Sequence, residues 1–575
     1  MACCGVNGPD AVGAVPKRQQ YSRTKYASPQ WSQMDEKTSV ASKTNVAYLS
    51  GLLAILGLGA VLRVYGIGWG LPTALHPHYS YHPDEMLTLV WAKSLIDGQI
   101  IGKHFIYGGT FYYSILNAFI YFGDTFAGVL GGINRLSNSI LAGRYFLVAV
   151  ALLTILLVYE IGHRAYGRKV GILAAFLLAM TPAHVVWAQR VRPDEIGALL
   201  AVLIFYPAMK ILEGEEDRNY KYYVYSGLAI GISAATRFPL ALFAIAPLAA
   251  HLIARHKHGV AQLVYSLFSR GPVTLVICAL IGYAVASPHT FIYLDWFMEG
   301  MRIQWAYQSG VFLDAVEQGS GIYQYGWSML SQALGYALYA LAAAGMACAA
   351  IKRSRIDVLL LITIIPYFIV TTFASWVVVR YTLPILPFLV LLAARFAFYA
   401  LDSIPRYRIG VIGALLLAVS WTMLGNMAYL RLEAEANIRD VAMEWLDKNI
   451  TPGSSILTVE HYLGDYYFNP PISDKYRHMV FLLNEPGDSH ALFENKQFDY
   501  LILNEYTYKN MERLGDRNPS RQMKIFYESL SSSPYKLIKE FKKPAEIIGI
   551  NFSKSYSSND YSIVNPGIRV YKLLR

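Results

Sequence analysis

Residues 46–66, VAYLSGLLAILGLGAVLRVYG, followed at 80–86 by SYHPDEM, decide the fold class. The first stretch has the length needed to cross a bilayer's hydrocarbon core, which takes about 20 mostly apolar residues in a helix. The second sets two adjacent carboxylates, Asp84 and Glu85, a short distance beyond that span. Taking a charge out of water near lipid is costly, so acids at a membrane boundary mark a candidate functional site.

The rest of the chain agrees with a membrane reading. Of 575 residues, 55% are hydrophobic and 14% aromatic, and only 15% are charged, against roughly 25% in soluble globular proteins. That composition excludes an ordinary soluble domain. Further apolar stretches near 142–162, 169–188, 195–212, 222–236, 238–254, 272–288, 327–351, 356–377, 381–400 and 409–429 bring the expected total to about eleven spans. The amphipathic stretch 110–131 is left on the surface. Lys and Arg collect in cytoplasmic loops, and with this count Arg164, Arg168 and Lys169, then Arg255, Lys257 and Arg270, then Lys352, Arg353 and Arg355, then Arg406 and Arg408 all fall on one side. The expected topology therefore has the N-terminus in and the C-terminus out.

Residues 1–45 are polar and read as a disordered cytoplasmic tail without a signal-peptide core. The membrane domain is expected over 46–430, with a first outer loop at about 68–141 that includes juxtamembrane helices. From 431 to 575 the chain turns polar, with a helical pattern over Asn437–Asn449 and strand-like runs at Ser455–Val459, Phe498–Asn504, Tyr535–Phe541 and Ile568–Leu573. This predicts an extracytoplasmic α/β domain. Of the four cysteines, Cys278 and Cys348 lie in apolar spans and Cys3 and Cys4 in the tail, so no disulfide framework is expected.

On this topology the outer face carries cations that run against the positive-inside trend: Lys103 with His104, Arg190, Arg192, Arg237 and Arg380. Asp84, Glu85, Asp194 and Glu195 face them. A carboxylate can accept the proton of an attacking hydroxyl, and arginines can stabilise the charge of a departing phosphate. Group transfer from a membrane-held phosphodiester needs both. The spans 222–236 and 238–254 are broken at Arg237-Phe238-Pro239, as spans that line a site often are. His76, His78 and His82 match no standard metal-ligand spacing. No cofactor is required on this reading, and a divalent metal is not predicted. A transporter or flippase of a lipid-linked or anionic substrate is the alternative, set back by the clustering of the acids at one face.

Six stretches together resemble the C-type (GT-C) membrane glycosyltransferases, in the branch of protein O-mannosyltransferases and lipid A aminoarabinose transferases, glycosyltransferase family 39-like. They are His82–Glu85, Lys103–Thr110 with Tyr112-Tyr113, Arg144–Gly167, Arg190–Asp194, Gly227–Pro239 and Arg380–Pro387. The resemblance implies a GT-C fold and an inverting transfer of a sugar from a polyprenyl-phosphate donor to an acceptor hydroxyl at the outer face. The acceptor would be a glycan, lipid or protein, with membrane lipids as neighbours and no nucleic-acid partner. Asp84 would be the general base, with Glu85 and Asp194 as further acidic residues of the catalytic site. Lys103, His104, Arg192, Arg237, Arg380 and Tyr381 would hold the donor phosphate. The family's Lys-Pro-Pro is replaced here by Tyr107-Gly108-Gly109, and Arg237 stands where a Lys is commoner. The aromatic outer loop 289–326 reads as a mobile lid or an interfacial anchor. A prokaryotic plasma membrane, with the site extracytoplasmic, is the expected location.

Overall fold

The computed structural model describes residues 29–574 except 215, 256–258, 310–320, 375–376, 404, 461–464, 483–497 and 515–520, and leaves undescribed the side chains of 29–45, 216–219, 260, 465–466, 510, 522 and 559. The chain divides into an N-terminal unit, Met1–Ser50, and a unit Gly51–Arg575. The tail expected over 1–45 lies outside the described residues up to 28. From Pro29 the chain is helical, in α1 (Pro29–Val64). Gln, Glu, Lys, Ser and Ala in that stretch cost a helix little, and the apolar span after it extends the same helix.

Gly51–Arg575 holds a helical bundle and a sheet domain. The helices that place the site are α2 (Pro83–Ile96), α3 (Phe111–Thr125), α4 (Arg135–Tyr166), α5 (Arg168–Met180), α6 (Pro182–Trp187), α7 (Asp194–Glu213), α8 (Glu216–Thr236), α9 (Ile245–Ala254), α10 (Arg270–Ala286), α11 (Leu294–Ser309), α12 (Tyr336–Lys352), α13 (Arg355–Thr371), α14 (Leu386–Ser403) and α15 (Arg408–Ala434). Among the described residues, five helices are long and apolar enough to cross a membrane. A sixth is reached if Gly321–Leu334 and α12, bent by 119° where they meet, form one span. This measure does not yield the eleven spans expected. The expected spans are interrupted: Pro182 ends 169–188 early, since a proline has no N–H to continue the ladder, and Gly335 turns 327–351 at φ +79°, a conformation glycine adopts freely. α8 and α10 pack backbone to backbone, and a Cβ on Gly231 would lie 2.1 Å from the Ala279 carbonyl oxygen.

The sheet domain follows the periods read from the sequence. Helix α16 (Ile438–Asn449) and strands β1 (Ser455–Glu460), β3 (Tyr500–Asn504), β4 (Tyr535–Phe541) and β5 (Ile568–Leu573) fall where expected. Strand β2 (Arg477–Leu482) and helices α17 (Glu505–Leu514) and α18 (Arg521–Ser532) are additions. The sheet order is β2-β1-β3-β5-β4; β1 runs parallel to β2 and β3, and β5 antiparallel to β3 and β4. Side chains alternate across it. Leu457, Val459, Leu501 and Leu503 pack with Met511 and Phe526 of α17 and α18, while Ile456, Ile502 and Val570 pack with Ala442, Met443 and Leu446 of α16. The segment 545–564 leaves the sheet and joins the bundle core through Ala545, Phe552, Tyr556, Tyr561 and Val564. Tyr556 stacks on Tyr429 at 4.6 Å, the Trp69 indole donates to the Val564 carbonyl at 3.0 Å, and the Ser558 amide donates to Gln332 at 2.8 Å.

Candidate active site

Helices begin, end or break where the charged residues gather. Asp84 and Glu85 occupy the first turn of α2, after Pro83, where a helix N-terminus favours anions. Asp194 opens α7. Arg192 lies in the non-helical link between α6 and α7, and Arg237 precedes the short 3₁₀ turn Phe238–Ala244 between α8 and α9. Arg380 and Tyr381 sit in a second 3₁₀ turn, Val379–Ile385, ahead of α14.

These breaks converge on one cluster. The Asp84 carboxylate lies 3.0 Å from Arg192 Nη1 and 4.0 Å from Arg380 Nη2. Arg192 Nε is 3.4 Å from Asp194, and Arg237 pairs with the other Asp194 oxygen. Arg237 lies over the Tyr381 ring, 4.4 Å from its centroid; Arg192 faces Tyr107 and Arg380 faces Trp187, each at 5.5 Å. The planar guanidinium suits both a carboxylate fork and an aromatic face. Asp194 is buried, whereas the Asp84 side chain keeps 31% of its surface open.

Glu85, one residue on, faces the other way. Arg144 of α4 grips it with two hydrogen bonds, 2.9 and 2.7 Å, and the Val191 amide adds one at 2.9 Å and Ser80 another at 3.2 Å. Arg144 also donates to the carbonyls of Ile67 and Trp69. Both side chains are fully buried. Nearby, Arg190 pairs with Glu433 of α15 and covers the Trp69 ring at 4.4 Å.

Electrostatics separate the neighbours further. For Asp84, burial pushes the carboxyl up, but Arg192, Arg380 and His82 together outweigh it and hold it at about 2. Glu85, likewise raised by burial, is held at about 2 chiefly by Arg144. Burial drives His82 down to about 3 against the pull of Glu85 and Asp84, so the imidazole is neutral; its ring meets Trp69 and Trp187 edge-on at 6.5 and 6.3 Å. Burial lowers Arg192, but Asp84 and the surrounding tyrosines raise it on balance.

The structure thus brings together Asp84, Asp194, Arg192, Arg237, Arg380 and Tyr381. Lys103 and His104 stand apart. Lys103 is exposed, and buried His104 fastens its own turn to α2 through Ser94 and the Trp91 carbonyl, both at 2.9 Å, while its other ring nitrogen accepts from the Ile101 amide of its own turn at 3.0 Å. Glu85 faces Arg144 rather than the cluster. Among the described residues, no group of three or more His, Cys, Asp and Glu is placed to hold a metal ion. His76 instead stacks on Tyr81 at 4.1 Å and lies 3.8 Å from Asp440. Of the loop 289–326, α11 reaches the cluster, since Gln308 donates to the Tyr381 hydroxyl at 3.1 Å, while 310–320 lie outside the described residues.

Sequence reasoning missed Asp560. It lies in the one-turn helix Asn559–Ser562 of the sheet domain, and its carboxylate takes Arg380 Nη1 at 2.5 Å and the Arg380 amide at 3.3 Å. Burial raises its pKa, with Arg380 opposing. Nothing near it in sequence marks it. Arg144 did leave a signal, a charge inside an apolar run.

Residues 129–292 match the family model described as dolichyl-phosphate-mannose-protein mannosyltransferase. The resemblance to the C-type membrane glycosyltransferases is therefore borne out over a segment that holds Arg144, Arg192, Asp194 and Arg237. No curated protein matches. Among solved structures, the chain is similar to the apo form of ArnT from Cupriavidus metallidurans, at 12% identity and a TM-score of 0.48, covering 92% of this chain and 98% of that one. The same protein bound to undecaprenyl phosphate gives 11% and 0.45, with the same coverage. The archaeal oligosaccharyltransferase AglB from Archaeoglobus fulgidus, in complex with an inhibitory peptide and a dolichol-phosphate, gives 14% and 0.46, covering 81% of this chain and 71% of that one.

Proposed function

We propose that this chain is an inverting glycosyltransferase that moves a sugar from a polyprenyl-phosphate donor to an acceptor hydroxyl, on the extracytoplasmic side of a membrane. The observation that carries the reading is a half-open carboxylate, Asp84, flanked by guanidiniums at 3.0 and 4.0 Å. Asp84 accepts the acceptor's proton as its oxygen attacks the anomeric carbon. The glycosidic bond to phosphate breaks on the opposite face, and the lipid phosphate leaves as an anion. Arg192, Arg237 and Arg380 hold that charge through preorganised donors that need no rearrangement during reaction. A phosphate leaving group is acidic enough to depart unprotonated, so no second carboxylic acid is called on, unlike glycoside hydrolysis.

Asp194 orients Arg192 and Arg237. Glu85 ties α2 to α4 and so fixes where Asp84 points, which makes it a positioning residue in this scheme. Lys103 and His104 take no part in phosphate binding here. The match of 129–292 to the mannosyltransferase family model supports sugar transfer from a lipid phosphate. The open side of Asp84 leaves room for an acceptor hydroxyl, and α11 touches the cluster at Tyr381 through Gln308.

The test is transfer of labelled sugar from a panel of polyprenyl-phosphate sugars, in membranes holding wild type or Asp84→Asn at matched expression. Labelled product from wild type that is lost in the variant supports the assignment. Undiminished product in the variant removes Asp84 as base. Movement of an intact labelled lipid across the membrane without transfer supports the transporter reading.

A further inference from the structure

The charge of the cluster is balanced before any ligand arrives. Arg192, Arg237 and Arg380 face Asp84, Asp194 and Asp560. The adjoining pairs, Arg144 with Glu85 and Arg190 with Glu433, are balanced as well. A phosphate ester entering here adds negative charge to a place largely shielded from water, and buried unpaired charge is expensive. One carboxylate has to give up its arginine.

The three candidates are not equivalent. Asp194 is fully buried between two guanidiniums and opens a long helix of the bundle. Asp84 makes looser contacts and is needed as the base. Asp560 comes from another part of the chain, on a one-turn helix of the sheet domain, and it sets one oxygen on the guanidinium of Arg380 and the other on the Arg380 amide, at 2.5 and 3.3 Å. Two acceptor oxygens on a guanidinium and a neighbouring N–H are also what a phosphate presents. Beside the one-turn helix lies a cavity of about 250 Å³, whose lining includes Ser557, Ser558 and Ser562 with Glu505, Lys509 and Arg513; Lys509 is paired with Glu505. A displaced carboxylate has a hydroxyl to move towards in Ser558, whose buried Oγ has no hydrogen-bond partner among the described residues.

We propose that Asp560 is the exchangeable anion of this site: its carboxylate occupies Arg380 in the resting protein, and the phosphate of the donor displaces it. The inference rests on the transferase reading and adds a role for the sheet domain. Asp560 is a positioning residue that keeps Arg380 aimed at the site while empty and sets how tightly the donor phosphate binds. Donor binding and the seating of the 557–563 segment are then coupled, each weakening the other.

The experiment is equilibrium binding of farnesyl phosphate to the full chain in detergent micelles, for wild type, Asp560→Asn and Asp560→Ser, with thermal unfolding run alongside. Both variants remove the competing charge, and Asn keeps the shape. Binding about 5-fold to 150-fold tighter than wild type is expected, the usual span of coupling between two sites. A side chain that only braced the fold would weaken binding when replaced. Equal or weaker binding in a variant that still unfolds cooperatively overturns the inference while leaving the donor-phosphate reading in place. No farnesyl phosphate binding by wild type or either variant overturns the donor-phosphate reading, and this inference with it.

Discussion

Asp84 and Glu85 are neighbours in sequence and opposites in surroundings. The Glu85 region is closed: carboxylate and Arg144 guanidinium are both fully buried, joined by two hydrogen bonds and supported by the Val191 amide. The Asp84 region is open: its side chain keeps 31% of its surface and its two arginines stand at 3.0 and 4.0 Å. A carboxylate whose hydrogen bonds are all taken has nothing left to offer a substrate. One held by charge at longer range, with an open side, does. The contrast separates a group that shapes the site from one fit to do chemistry in it, and each prediction below bears on that separation.

The largest effect is expected at Asp84. Replacing it with Asn keeps the volume and removes the proton acceptor, so transfer should fall by about 10²- to 10⁴-fold, the usual worth of a general base. The thermal midpoint should fall less than on loss of Glu85, because the Asp84 side chain is partly open and water screens its ion pairs. Glu85→Ala should do the reverse, destabilising by about 3–5 kcal/mol because Arg144 is left charged and buried without its partner. Replacing both together, Glu85→Leu with Arg144→Met, should recover much of that stability, as buried pairs often tolerate apolar substitution. If Glu85→Gln abolished transfer with an unchanged midpoint, the proposed division of labour would be wrong. Arg380→Ala comes next, with a loss of about 10²- to 10³-fold in kcat, the scale set by removing one preorganised donor.

A smaller effect is expected from pH. Both carboxylates are held at about 2, below the ordinary value of about 4. A depressed pKa gives stability that is present above the unfolded value and lost as pH falls towards the folded one, so acid unfolding should set in between about pH 4 and 2. The acid limb of kcat/KM should likewise stay below about pH 4. Arg192→Gln removes the leading charge that opposes burial at Asp84, so the limb should move to higher pH. A limb that did not move would mean that the titrating group is not Asp84.

Much of the fold was legible because its signals are periodic. The short apolar runs at 455–459 and 498–504 placed two strands that are buried on both faces, and the helical period of 437–449 placed α16. Spans were harder, since hydropathy averages over breaks: it read through Pro182 and Gly335, where the backbone turns. The site was legible where charges interrupt apolar runs, which is why Asp84, Arg192, Asp194, Arg237 and Arg380 could be picked out together. Lys103 and His104 looked alike in sequence, but nothing local says that the His104 ring turns inward to Ser94 and the Trp91 carbonyl. Asp560 was invisible for the opposite reason, being one acid in a polar domain whose role comes from a contact 180 residues away in sequence.

The smallest effect tests how the sheet domain holds the open region in place. The loop before α2 is fastened to α16 by Tyr81, whose hydroxyl donates to Asp440 and whose ring lies under Arg439 at 4.2 Å. Arg439 in turn donates to the carbonyls of Tyr467, Ile563 and Val564, on both sides of the join between sheet domain and bundle. Tyr81→Phe removes one hydrogen bond and keeps the ring. Asp440 retains 19% side-chain exposure and can turn to water, so the cost should be about 1 kcal/mol, the net worth of an ordinary hydrogen bond. Because Tyr81 is three residues from Asp84, the change should also loosen where the base points, lowering kcat by a few-fold with donor affinity unchanged. An equal loss of donor affinity would mean that the loop and the Arg380–Asp560 contact move as one body, so that the open region is held from the sheet domain rather than from Glu85 and Arg144.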